Sequence, residues 1–184
     1  MEPVDQRGRF EREVLPHLDA AYNLAHWLLR NDQDAEDVTQ EGLLRAYRHF
    51  AGFRGVNAKA WLLAIVRNAC YGWIDQRNAG PQAVDSAELE RLSAIDRPVS
   101  SDSDPERALA IKYDVELVRR CLDDLPIDYR DALVLREIEG LSYKEISEIA
   151  DIPIGTVMSR LSRGRTLLLR RLTQQRQRES LRAV

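Results

Sequence analysis

Cysteine is nearly absent: Cys70 and Cys121 are the only two in 184 residues, and they form no C-x-x-C pair. That argues against a disulfide framework and for a reducing cytoplasm, with each thiol a small buried hydrophobe. Aromatic residues make up only 7% of the chain. Valine-rich alternating stretches are missing as well, which points away from an extensive sheet. No apolar run approaches membrane-spanning length, and the opening "MEPVDQRGRFEREVLPHLD" lacks the apolar core of a secretory signal. His17, His26 and His49 have no metal-ligand spacing and read as ordinary surface or core residues. No nucleophile-and-base constellation, phosphate-cradling glycine loop or metal cluster is visible. No catalytic residue, metal or cofactor is expected on this basis, and these absences lower the prior for an enzyme.

What is present is a soluble globular composition, 44% hydrophobic and 31% charged, long enough for one or two domains. Its charge is unevenly spread. Residues 1–80 balance at −1, residues 81–106 at −5 and residues 107–184 at +3, while residues 152–184 alone carry eight arginines against one carboxylate. Three blocks of different electrostatics suggest three parts with different tasks.

The first block reads as helices. "LDAAYNLAHWLL" is apolar on more than one face, as in a bundle. "NDQDAEDVTQEGLLRAYRHF" opens with Asp32 and Asp34 as candidate caps and Glu36 and Asp37 in its first turn. Leu43, Ala46, Tyr47 and Phe50 then make one helical stripe. After the glycine-containing loop "AGFRGVN", a further helix carries the stripe Leu62, Ile65, Val66, Ala69 and Trp73. From Gly80 to Pro105 the periodicity dissolves into an acidic stretch with three prolines, read as a flexible linker with at most a transient helix in "AELERLSAI". Periodicity resumes with Leu109, Val115, Val118 and Leu122 facing a core. Pro126 opens the next helix and Gly140 closes it.

The sharpest local signal follows. Ser142 and Glu145 form an S-x-x-E capping box that starts a short helix, with Ile146, Ile149 and Ala150 pointing inward. The break "DIPI" leads into a long helix over about residues 156–172. Its inward stripe is Val157, Leu161, Gly164 and Leu168, with Gly164 allowing a close approach. Its outward stripe is Ser159, Ser162, Arg163 and Thr166, wholly polar. Short helix, tight turn, helix with a basic outer face is a helix-turn-helix.

Such a helix fits a major groove. Met158, Ser159, Ser162 and Arg163 sit where base edges are read: Arg163 suits a guanine and Met158 a thymine methyl. Arg160, Arg165, Arg170 and Arg171 lie further round, where phosphates are the partners. An arginine-rich helix is by itself often only a solvated face, and helix-turn-helix units also serve protein contacts. The loop and helix around Phe53, Arg54, Asn57, Lys59, Trp61, Arg67 and Asn68 mix aromatic, cationic and amide groups suited to unpaired bases. Taken alone, Trp61 and Trp73 read as packing residues. A stand-alone regulator binding an operator as a dimer, a protein-interaction module and a small enzyme with a degenerate helix-turn-helix all stay open at this level.

Together the two halves resemble a known family. "DAEDVTQEGLLRAYRHFAGFRG" with "AWLLAIVRNACYGWID" resembles region 2 of the bacterial sigma-70 family. "LPIDYRDALVLREIEGLSYKEISEIADIPIGTVMSRLSRGRTLLLRRL" resembles region 4. The order, the acidic linker and the small size are similar to the extracytoplasmic-function (ECF) group. The resemblance implies an all-α protein of two helical domains, residues 8–80 (region 2) and 107–175 (region 4), joined by a flexible acidic linker over residues 81–106. It implies a sigma factor, not an enzyme, that binds core RNA polymerase and promoter DNA in the cytoplasm. Asp34, Asp37, Gln40 and Glu41 match the polymerase-docking segment. Phe53 and Asn68 match the pocket that captures a flipped base of the minus-10 element, with Arg54, Asn57, Lys59 and Arg67 beside them. Met158, Ser159, Ser162 and Arg163 match the minus-35 readers, although arginine or lysine is common where Met158 stands. An anti-sigma partner, often membrane-anchored, is implied too. A flexible 26-residue linker spans roughly 25–30 Å, whereas two promoter elements two helical turns apart need about 70 Å, so polymerase would hold the linker extended. The acidic linker and region 2 are expected to screen the basic helix in the free protein, so that it binds promoter DNA poorly.

Overall fold

The computed structural model describes residues 6–79 and 105–182, and among these every regular element is helical. The first half holds α1 (Gln6–Glu13), α2 (Leu18–Leu29), α3 (Asp32–His49) and α4 (Ala58–Ala79). The second holds α5 (Pro105–Asp123), α6 (Ile127–Leu133), α7 (Tyr143–Ala150) and α8 (Ile154–Arg182). The expected all-α fold is the one found. The linker reading and its transient helix fall almost wholly on residues 80–104, outside the described residues.

Helices α2, α3 and α4 pack on one another around Leu24, Leu28, Ala35, Val38, Ala46, Leu62 and Val66, all buried. Arg30 ends α2 in the left-handed conformation at φ 60°, and Asn31 caps α3 by accepting a 2.9 Å hydrogen bond from the Asp34 N–H. The cap is therefore Asn31 and not Asp32 or Asp34, which occupy the first turn in place of Glu36 and Asp37. The buried stripe of α3 is also rotated from the expected one, because it runs through Val38, Thr39, Gly42 and Ala46 and leaves Tyr47 41% exposed. Gly42 sets this crossing: a Cβ there would stand 2.7 Å from Val66 Cγ2 on α4. Phe10 of α1 closes the bundle, edge-on to Tyr47 and Phe50 with ring centroids 5.2 Å from each.

The second half is built on α8. Val157, Leu161 and Gly164 face inward as expected, with Gly164 so close to α6 that a Cβ would lie 3.1 Å from Leu133 Cδ1. Pro126 caps α6, which runs on into a π turn (Val134–Ile138) and ends at Gly140, φ +72°. Helix α8 extends to Arg182 instead of stopping near residue 172. Arg171 and Arg176 pair with Asp124 (3.4 Å) and Asp114 (3.0 Å) beside it, the latter on α5. In α5 the expected inward residues Val115 and Val118 are 63% and 38% exposed. The buried face is Leu117, Cys121 and Leu122, the one turned toward its neighbours. The side chain of Leu109 is outside the described set.

The two halves also touch. Helix α7 packs on α4, and α6 on α2. α4 buries more than the single expected stripe, with Leu63, Arg67 and Cys70 buried besides Leu62, Val66 and Ala69 and Arg67 paired to Asp131 of α6, while Ile65 and Trp73 are only partly covered.

Candidate nucleic-acid interface

The α7–turn–α8 unit is fixed by short-range chemistry. Ser142 Oγ accepts from the Glu145 N–H (3.2 Å), and the Glu145 carboxylate accepts from the Ser142 N–H (2.8 Å), completing the capping box. The Ser142 hydroxyl also donates to that carboxylate (2.7 Å) and, with the Ser142 N–H, holds it below its ordinary value. Asp151 ends α7 in the left-handed region at φ 52°, and Ser147 Oγ donates to the Ile152 carbonyl at 2.5 Å to tie the turn. The Pro153 carbonyl then accepts from Thr156 and Val157 (2.8 and 3.1 Å), launching α8. Inward Ile146, Ile149, Val157 and Leu161 leave the opposite face of α8 to solvent.

That face presents the candidate base readers together. Met158 is 53% exposed, and Ser159, Ser162 and Arg163 are exposed beside it. Ser159 Oγ donates to the Thr156 carbonyl (2.9 Å), which leaves its lone pairs outward. The candidate phosphate contacts differ among themselves. Arg170 is exposed, whereas Arg160 pairs with Asp128 (3.1 Å), Arg165 with Glu137 (2.6 Å) and Arg171 with Asp124 (3.4 Å). The exposed pairs of Arg165 and Arg171 are worth about 0–1 kcal/mol, so a phosphate can displace them, whereas Arg160 is half-buried. These carboxylates all belong to the second half. Among the described residues, then, these three arginines of the basic helix pair within its own half, and its reading face is exposed.

The loop between α3 and α4 is arranged differently from expectation. Phe53 is buried, stacked on Phe50 at 5.9 Å and packed against Trp61 at 4.6 Å, so in this conformation it offers no free face to a base. The tip belongs to Arg54, Gly55 and Val56, the last fully exposed. Asn57 and Asn68 are exposed. Arg67 is not: it is buried, with its Nε donating to Asp131 Oδ2 at 2.7 Å. Tyr71 donates to the same oxygen (3.2 Å), and burial pushes its phenol well above its ordinary value. Lys59 Nζ meets Glu139 Oε2 and the Glu139 carbonyl, each at 2.8 Å, and Asn57 donates to Glu145. The first half thus hands three of its six minus-10 candidates to the second.

On α3, Asp37, Gln40 and Glu41 are exposed and Glu41 pairs with Arg45, whereas Asp34 is half-buried, 3.5 Å from Arg77, with burial raising its carboxyl. Sequence reasoning missed Asp131, Tyr71 and Glu139. Asp131 left a trace: it sits four residues after Ile127 and three before Val134, a carboxylate in an inward stripe.

Residues 14–79 match the model of "Sigma-70 region 2" and residues 116–168 that of "Sigma-70, region 4". The RNA polymerase sigma-H factor of Pseudomonas aeruginosa is 36% identical over 166 residues, 87% of this chain and 86% of its own length. The chain belongs to the sigma-70 family. The ECF RNA polymerase sigma-E factor of Escherichia coli is 37% identical over 72% of the chain and 70% of its own length, which places the chain in the ECF group. The ECF sigma factor SigE of Mycolicibacterium smegmatis is 36% identical over 84% of the chain, which spans only 58% of that protein. Among solved structures, the sigma factor RpoE of Bartonella quintana, crystallised with the anti-sigma factor NepR, superposes with a TM-score of 0.72 at 31% identity, covering 90% of this chain and 97% of that one. CnrH, solved with the cytosolic domain of CnrY, shares the fold (TM-score 0.61, 21% identity, 91% and 89% covered).

Proposed function

We propose that this sigma-70 family chain binds core RNA polymerase through the exposed side of α3 and directs promoter-specific initiation. Asp37, Gln40 and Glu41, with Asp34 behind them, form the docking patch. Met158, Ser159, Ser162 and Arg163 read the minus-35 major groove, and Arg160, Arg165, Arg170 and Arg171 hold its phosphates. Arg54, Asn57, Lys59, Arg67 and Asn68 grip the minus-10 strand, with Phe53 a base-stacking surface only after it leaves Trp61. Residues 8–80 and 107–175 are the two domains and 81–106 the linker between them.

The subunit carries no covalent chemistry. It lowers the cost of opening the duplex by trapping unstacked bases, a few kcal/mol for each. An anti-sigma protein as a further partner is supported by the RpoE–NepR complex.

The observation that carries this reading is the pairing, in one chain and in order, of a region 2 match with an open α8 reading face in a region 4 match. Immobilised core polymerase tests it: the chain should be retained, and Asp37→Lys with Glu41→Lys should pass through. Failure of the unmodified chain to be retained refutes the reading. A dimer on a palindromic operator, without polymerase, would establish the stand-alone regulator instead.

A further inference from the structure

We infer that α1, which lies ahead of the residues matched to region 2, anchors the minus-10 loop through Arg9, and that Arg9 is thereby a positioning residue for base selection. This rests on the function proposed above.

The anchor comes from the pattern of α1. Gln6, Arg9, Phe10 and Glu13 fall at i, i+3, i+4 and i+7, one helical stripe. Phe10 is its buried member, set edge-on to Tyr47 and Phe50, and Gln6 Nε2 donates to the Tyr47 carbonyl at 3.4 Å. That docking turns Arg9 toward the loop between α3 and α4. Its Nη2 donates to the Phe53 carbonyl at 3.3 Å, and its guanidinium lies 4.9 Å from the centroid of the Phe50 ring. Glu13, one turn on, accepts from Arg9 Nε at 2.8 Å and from Nη2 at 3.4 Å. A planar fork of fixed donors meets a carboxylate, a carbonyl and an aromatic face at once, whereas a lysine ammonium reaches fewer of them.

Which atom is held decides what the anchor can do. The Phe53 N–H donates to the Phe50 carbonyl (2.9 Å), so with the Arg9 contact both polar backbone groups of Phe53 are fixed where the chain enters the loop. At the exit, Asn57 Oδ1 accepts from the Ala60 N–H (3.0 Å) and holds the start of α4. Between these two pins stand Arg54, Gly55 and Val56, the exposed tip. Because Arg9 holds the carbonyl and not the ring, the Phe53 side chain can rotate away from Trp61 while the tip keeps its place.

The neighbouring cations serve other partners. Lys59 and Arg67 turn to Glu139 and Asp131 of the second half, and Arg54 belongs to the tip itself. Arg9 therefore sets the tip against the buried Phe50 and Trp61 rings, and an unpaired base meets one loop position instead of a spread of them. A loop that cannot shift cannot adapt to a wrong base, whereas a loose one accommodates several.

A nitroxide label on Val56→Cys in the full-length chain tests the anchor, because Cys70 and Cys121 are buried and the label reports on the tip. Arg9→Met keeps an apolar stem and removes the donors. The mobile fraction of the label should then rise about two- to tenfold, the range for losing one ordinary hydrogen bond, with helicity by circular dichroism unchanged. Arg9→Lys should recover part of that rise. Polymerase carrying the same variants, with Val56 restored, then selects from a pool randomised over both promoter blocks. Arg9→Met should weaken preference in the downstream block by about two- to tenfold. The upstream block and polymerase retention should be unchanged, a split that general loosening of the fold would not give. Glu13→Ala, which frees the guanidinium without touching the loop, should move both readouts in the same direction and keeps the test decisive if Arg9→Met fails to fold. Unchanged label mobility, unchanged downstream preference or equal weakening of both blocks overturns the inference. If the wild type itself is not retained by core polymerase, the underlying function fails, and the label still decides whether Arg9 holds the loop.

Discussion

Arg163 is the side chain on which the minus-35 assignment is most exposed to test. It stands on the outward face of α8 between Ser162 and Gly164, is exposed, and among the described residues makes no ion pair, in contrast to Arg160 and Arg165. Its five donors are therefore available to a guanine edge without displacing a carboxylate. A bidentate arginine–guanine contact discriminates by about 1–3 kcal/mol, or roughly 5- to 150-fold at one base pair. Arg170, also exposed but about two turns further along, should meet phosphate, whose loss weakens all sequences alike and lowers the salt slope by about one. The assay is selection from a randomised duplex pool by polymerase carrying the wild-type, Arg163→Ala or Arg170→Ala chain. Arg163→Ala should lose sequence preference at one upstream position and retain it elsewhere. Arg170→Ala should retain every preference and bind more weakly. If both variants select the wild-type sequence, or both lose preference evenly, the assignment of α8 residues to bases and phosphates is wrong.

Two further outcomes follow from packing and titration. Gly42→Val places methyl groups where even a Cβ would stand 2.7 Å from Val66 Cγ2; it should cost roughly 1–3 kcal/mol by overpacking, measured by urea denaturation, and an unchanged midpoint would contradict the close α3–α4 crossing. His26 is held below its ordinary value of 6.5 by burial and by Arg119, with Asp32 opposing. The folded chain therefore keeps it neutral. Stability from this group is complete above about pH 6.5 and declines below it, because the unfolded chain takes up the proton first. His26→Gln should flatten the thermal-stability slope between about pH 7.5 and pH 5.5, and an equal slope in the variant would assign it to other groups.

Much of this arrangement was legible because local chemistry decides it. The Ser142–Glu145 box, the turn through Asp151 and the inward Val157–Leu161–Gly164 stripe depend on neighbours a few residues away. What periodicity could not supply was partners from the other half. It offers one stripe on α4, but α4 also meets the second half, and the match of the Arg67 charge by Asp131 of α6, 64 residues away, leaves no local signal. The burial of Phe53 was hidden for a related reason: a loop aromatic suggests a free stacking face, yet Gly55 lets the chain fold back over the ring, with a would-be Cβ only 2.8 Å from Phe53 Cε2. Val115 and Val118 fitted a helical stripe but not the stripe α5 buries, since short windows fix the period of a helix better than its rotation.

Initiation by purified components tests the central claim most directly. Core polymerase is incubated with genomic DNA, with and without this chain, and the 5′ ends of the transcripts are mapped. The account predicts start sites that appear only with the chain, sharing two upstream sequence blocks about two helical turns apart, the more distant one altered in preference by Arg163→Ala. An identical set of start sites with and without the chain would contradict it.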